Sequence, residues 1–176
     1  MNKIIINAFG DDKPGLVSKI TNVIKKYNGN IEISKIIQLE SDFTLLMLVE
    51  ISSNNTKELF NGLDKITNLK INYKITQKKI LNNTFREYMF TVNVADNEGI
   101  IYLYSNLFKK FNVNILSMES YVKNAANTGY PIFILDSVLT IPNKIDLKKF
   151  KSKLIEISET NNVDFEFKLK KLFKPK

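Results

Sequence analysis

Residues 8–17 read AFGDDKPGLV, and residues 92–101 read VNVADNEGII. In both, an apolar run is cut by an acid and a glycine before an apolar pattern of different period begins. Gly15 and Gly99 lie 84 residues apart, and each is followed fifteen residues later by an Asn-Ile pair, Asn30-Ile31 and Asn114-Ile115. The chain is therefore read as two copies of one unit, and the architecture of the unit follows from what surrounds the glycine.

After Gly15, the residues Leu16, Val17, Ile20, Val23, Ile24 and Tyr27 recur three and four apart. At the same offset Ile100, Ile101, Tyr104, Leu107, Phe108 and Phe111 repeat them. That spacing puts one apolar stripe on a helix in each half. Before each glycine lies a strand pattern, IIINAF (4–9) and EYMFTVNVA (87–95), the second alternating Tyr88, Phe90, Val92 and Val94 on one face. NIEISKIIQL (30–39) and FTLLMLVEI (43–51) read as two strands joined by a tight turn at Glu40-Ser41-Asp42, the second apolar on both faces and so central. Asn54 or Asn55 is placed to cap a helix that buries Leu59, Leu63 and Ile66, and INYKIT (71–76) closes the unit. The second half repeats the order with NILSMESYV (114–122), PIFILDSVLTI (131–141), DLKKFKSKLIEIS (146–158) and DFEFKL (164–169), its hairpin loop lengthened to KNAANTGY.

Each half thus reads β-α-β-β-α-β. The fold class is α+β: two ferredoxin-like units in tandem, each a four-stranded antiparallel sheet with two helices on one face. The expected divisions are a first domain over 1–78, a linker over 79–84, a second domain over 85–172 and a basic tail over 173–176. Each sheet would keep one face bare, and pairing of sheets covers it most simply. A homodimer or larger homo-oligomer, or a protein partner, is expected.

The chain has 176 residues with 44% hydrophobic content, enough for a core, and carries neither Cys nor His. Disulfides and thiolate metal sites are excluded, and the commonest general base and metal ligand is missing. No metal site, cofactor or catalytic group is expected: Asp12, Asp42, Asp96 and Glu98 are accounted for by caps and turns. No apolar run approaches the roughly 20 residues of a membrane span, and MNKIIINAFGDD places an acid pair where a signal peptide would stay apolar, so a cytoplasmic protein away from membranes is expected. The net charge of +8 contains a single arginine, Arg86, among scattered lysines. Arginine is the residue shaped for bidentate phosphate and guanine contacts, so direct nucleic-acid binding is not expected.

The first loop carries the most chemistry. Gly10 offers backbone angles a side chain would forbid, Pro14 presets a helical φ, Asp12 is placed to cap, and Gly15 permits close approach to the backbone. The free N–H groups and positive end of the helix form a site for a carboxylate. Asn30, placed by this topology beside the helix start, could both donate to a carboxylate and accept from an ammonium. Cap, turn and packing roles for the same residues are the alternative. In the second copy Glu98 replaces the proline, and its charge opposes a ligand carboxylate. Tyr121 and Tyr130 could line a pocket there, although strand aromatics are more often core; Lys26 and Lys123 are expected to be solvated.

GDDKPGLV followed by NGNIEIS resembles the ligand-binding loop and second strand of ACT domains, small βαββαβ modules that sense amino acids. Two such units as nearly the whole chain, with VAD and FxxxNxNI opening the second, resemble the glycine cleavage system transcriptional repressor family. The resemblance implies a regulator that contacts a DNA-binding activator and responds to a small amino acid, glycine foremost. It places ligand binding at Asp11, Asp12, Pro14, Gly15, Leu16, Asn30 and Ile31, with a weaker second site at Asp96, Asn97, Gly99, Ile100, Asn114 and Ile115. The alternatives are a regulatory small subunit of an amino-acid biosynthetic enzyme such as acetolactate synthase, and a ligand-free interaction scaffold.

Overall fold

The computed structural model describes residues 1–77, 84–95, 98–125 and 129–170. The expected linker, apart from Thr84, and the basic tail lie outside them. Contacts divide the chain into two units, Met1–Ile80 and Leu81–Lys176.

In the first unit the elements are β1 (Asn2–Asp11), α1 (Leu16–Lys26), β2 (Asn30–Leu39), β3 (Asp42–Ile51), α2 (Thr56–Leu63) and β4 (Lys70–Thr76). In the second they are β5 (Phe85–Ala95), α3 (Ile100–Lys110), β6 (Asn114–Asn124), β7 (Pro131–Pro142), α4 (Leu147–Asn161) and β8 (Asp164–Leu169). Each unit forms one antiparallel sheet, ordered β2-β3-β1-β4 and β6-β7-β5-β8. The strand with apolar residues on both faces, β3, sits inside its sheet as its composition requires. The duplication extends to irregularities: a register shift between Ile31 and Ile33 in β2 has its counterpart between Ile115 and Ser117 in β6.

The pleat separates a helix-covered face from an open one. Ile4, Ile6 and Ala8 of β1 and Leu45, Met47 and Val49 of β3 are buried with Leu16, Ile20 and Ile24 of α1 and Leu59 and Leu63 of α2. A fully buried aliphatic side chain of this size contributes about 1.5–3 kcal/mol, so the stripe read from the sequence is what holds α1 down. In the second unit Tyr88, Phe90, Val92 and Val94 face Tyr104 and Phe108 of α3 and Phe150 and Leu154 of α4. Rings replace aliphatics here: Phe90 meets Tyr104 and Phe108 edge-on, with centroids 4.9 and 5.4 Å away.

The opposite face differs between the units. Alternation places Phe9, Ile33, Ile37, Leu39 and Leu46 on the uncovered face of the first sheet, all exposed. The second sheet's uncovered face instead carries Glu119, Asp136 and Glu166 beside Met89 and Tyr121, with Thr91 donating to Asp136 Oδ1 at 2.8 Å.

Two cap expectations are corrected. Asn55 occupies the N-cap of α2 after a 3₁₀ turn at Ser53–Asn55, but makes no capping bond. Its amide donates to the Tyr27 carbonyl at 3.0 Å instead, fastening α2 to the end of α1. Asp12 does not cap α1, whose N-cap is Gly15. Among the described residues the helix with a side-chain N-cap is α4, where Asp146 accepts from the N–H groups of Lys148 and Lys149. Tyr121 and Tyr130 are exposed, not core, because both lie beyond the reach of the helices on a sheet edge and hairpin loop.

Candidate functional site

The β1–α1 connection is built by a reverse turn. Leu16 N–H approaches the Lys13 carbonyl at 3.4 Å across Pro14 and Gly15, and Gly15 has φ 93° and ψ −2°. These are the angles of the third residue of a type II turn, with proline favoured just before it. Pro14 therefore organises the turn and does not lie in the first helical turn. Gly99 has φ 84° and ψ 4°, so the left-handed glycine recurs, with Glu98 in the proline's place. A side-chain Cβ on Gly15 would meet nothing within 4 Å, so the glycine answers to a backbone angle and not to close packing. Gly10 reverses that logic. Its φ is not positive, but a Cβ there would lie 3.1 Å from both the Asn68 carbonyl oxygen and Leu69 Cδ2.

Because the turn enters the helix directly, neither α1 nor α3 has a side-chain cap, and neither has an acid in its first turn. The first helix bond of this region is Lys19 N–H to Gly15 carbonyl at 3.0 Å, leaving the N–H groups of the opening turn facing outward. Asp12 is tied by its own N–H to the Ser41 carbonyl at 2.8 Å, which joins the loop to the β2–β3 hairpin. Asp11 ends β1 opposite Asp42, and Lys13 Nζ lies 3.4 Å from its carboxylate in an exposed pair. Leu16 is buried in the core, so only its backbone can serve a ligand.

Around the turn lies an open cleft of about 480 Å³. Its floor and far wall are Val17, Ile36, Gln38 and Phe43. The sequence reading missed these residues. The hairpin register contains the signal, since Gln38 pairs with Phe43 and Phe43 with Gly10, bringing the end of β2 to the loop.

That register also corrects the placement of Asn30 and Ile31. Asn30 pairs with Glu50, and Glu50 with Lys3, at the opposite end of the sheet from Gly10. Gln38 lies eight residues further along β2 than Asn30, about 25 Å at the usual rise. Asn30 and Ile31 border a different, wider groove beside α1 with Asn28 and Lys25. In the second unit Asn114 pairs with Thr140, and Thr140 with Glu87, again at the end remote from Gly99. Ile100 is buried, Ile115 packs against the core, and Asp96 and Asn97 lie outside the described residues.

Among the described residues no group of three or more acids could hold a metal ion, and no helix is long and apolar enough to cross a membrane. Two βαββαβ units, each opening its first helix from an uncapped glycine turn, define a tandem ferredoxin-like protein. The ACT domain model matches residues 2–74. A UPF0237 protein of Methanococcus maripaludis is 37% identical over 68 residues, which are 38% of this chain and 76% of that one. The glycine cleavage system transcriptional repressor of Escherichia coli is 28% identical over 131 residues, 70% of this chain and 67% of the repressor. A crystal structure of an unknown protein from Galdieria sulphuraria shares the fold with a TM-score of 0.85 and 22% identity, over 97% of this chain and 99% of that one. Residues 2–74 belong to the ACT-domain family, the same fold recurs in the second unit, and the chain is similar to the glycine cleavage system transcriptional repressor over most of its length.

Proposed function

We propose that the chain is a non-catalytic, amino-acid-responsive regulator that binds a small amino acid, glycine foremost, at the first loop and acts through a protein partner. The observation that carries this reading is the uncapped start of α1, held open by the Pro14–Gly15 turn above a cleft. A ligand carboxylate there would accept from the free N–H groups. Its ammonium would be served by Asp12, which lines the cleft and is exposed. Similarity to a protein named as the glycine cleavage system transcriptional repressor supports the regulatory role, and action through a protein partner is part of the proposal.

Magnitudes decide where binding happens. A helix N-terminus contributes about 0.3–1 kcal/mol to an exposed anion, and each hydrogen bond about 0.5–1.5 kcal/mol. Millimolar affinity requires about 4 kcal/mol. The open loop alone falls short, so the ligand is held where a second copy or partner closes the cleft and excludes water. Ile36 of β2, exposed in the far wall of the cleft, suits such closure. Binding then shifts the association equilibrium by its differential affinity for open and closed states. The second loop, with Glu98, serves mainly as structure.

Calorimetry across the proteinogenic amino acids tests this. A saturable signal with glycine or a close analogue, lost in Gly15→Asp while the thermal melt persists, is expected. Heats absent for every amino acid would leave the chain a ligand-free scaffold.

A further inference from the structure

One basic surface of the first unit is unexplained by the loop site. Helix α1, LVSKITNVIKK, contains three lysines and no acid. Lys19 and Lys26 of α1 and Lys65 of the α2–β4 connection line a cleft of about 450 Å³. None of the three forms an ion pair among the described residues. The nearest acid in sequence, Asp64, accepts from the Tyr73 hydroxyl at 2.9 Å instead.

The floor between the lysines is apolar. Val23, Tyr27 and Ile66 are half-buried there, packed on the core beneath. It is continuous because α1 and α2 approach closely at Gly62, where a Cβ would fall 2.8 Å from both Val23 Cγ1 and Tyr27 Cε2. Lys26 Nζ lies 5.5 Å from the Tyr27 ring centre, so its charge stands over the floor. The second unit lacks this arrangement, since Leu103 occupies the place of Lys19. The charge is thus no requirement of the fold.

We propose that this cleft is the docking site for an acidic segment of the partner protein, which rests on the reading of the chain as a partner-dependent regulator. Charge complementarity selects the sign. Extent selects a peptide over a small anion: Lys19 and Lys26 lie two helical turns apart, about 10 Å along the axis, too far for one phosphate. Each exposed lysine–carboxylate pair is worth at most about 1 kcal/mol, so an acidic segment gains by engaging three lysines while its apolar residues cover the floor. Lys19 also lies one turn beyond Gly15, to whose carbonyl its N–H bonds, so the cleft and the loop share one rigid helix.

The test uses the full chain and a fluorescein-labelled peptide of glutamates interspersed with leucine and phenylalanine, followed by fluorescence polarisation at two salt concentrations. A Lys19→Glu/Lys26→Glu/Lys65→Glu variant is compared with Lys144→Glu/Lys148→Glu/Lys149→Glu, which makes the same charge change in the second unit. The expected result is salt-sensitive, saturable binding, weakened about tenfold or more in the first variant and less than about twofold in the second. A lysine-for-glutamate version of the peptide should bind the first variant, which also shows that the variant is folded. No binding by the wild type, equal loss in both variants, or displacement by stoichiometric pyrophosphate would each overturn the proposal. Glycine calorimetry on the first variant reads the loop separately: retained heats with lost peptide binding separate the two readings.

Discussion

Glycine has two different duties within six residues. At Gly15 the backbone sits in the left-handed region with open space around it, whereas at Gly10 the backbone is ordinary and the space is filled. Gly15→Ala should therefore cost about 1 kcal/mol through backbone strain, with Gly15→Asn milder because asparagine tolerates that region. Gly10→Ala should cost more than Gly10→Ser differs from it, since any Cβ meets the Asn68 carbonyl; urea denaturation of the four proteins reads the order. A second residue-scale prediction concerns Tyr104, whose hydroxyl is buried in the second core without a hydrogen-bond partner among the described residues. Burial pushes its pKa up to about 12. The unfolded phenol ionises near 10 while the folded one stays protonated, so above pH 10 the unfolded state binds fewer protons and stability falls up to about pH 12. Tyr104→Phe should flatten that fall and raise neutral-pH stability by about 1 kcal/mol, as removal of an unsatisfied hydroxyl does. Urea unfolding at neutral and alkaline pH checks both effects.

The helices divide by how they begin. Asp146 caps α4 through two N–H groups, so Asp146→Ala should cost about 1 kcal/mol in stability. Asp12 caps nothing, and Asp12→Ala should leave the melt almost unchanged while weakening any amino-acid binding. Equal destabilisation by the two substitutions would contradict the assignment. The elements themselves were legible because their periods are stark: Ile20 and Ile24 at helical spacing, and Tyr88, Phe90, Val92 and Val94 at spacing two. The caps were not. Asp12 and Pro14 carry helix-start chemistry, but Gly15 needs a left-handed backbone, and a type II turn centred on Pro14 and Gly15 pushes the helix start beyond both. Asn55 was displaced by a tertiary opportunity, the Tyr27 carbonyl, that local sequence cannot reveal.

Duplication with divergence marks the whole molecule. The first unit has aliphatic packing, an apolar uncovered sheet face and Pro14 in its turn beside a basic groove, while the second has an aromatic core, a charged uncovered face and Glu98 in the proline's place. Such an apolar face should associate. Wild-type protein is expected to sediment as a homo-oligomer, and Ile33→Lys/Ile37→Lys to shift it toward the monomer without lowering the melting temperature, since both side chains are already exposed. A wild-type monomer at every concentration would dismiss homo-oligomerisation through this face. The amino-acid sequence alone determined the repeat, the order of elements and the apolar stripe by which each first helix packs, because period is written locally. The tertiary structure alone decided what gathers around Gly15. Strand register brings Gln38 and Phe43 to the loop and carries Asn30 about 25 Å away, and register depends on pairing between strands distant in the chain.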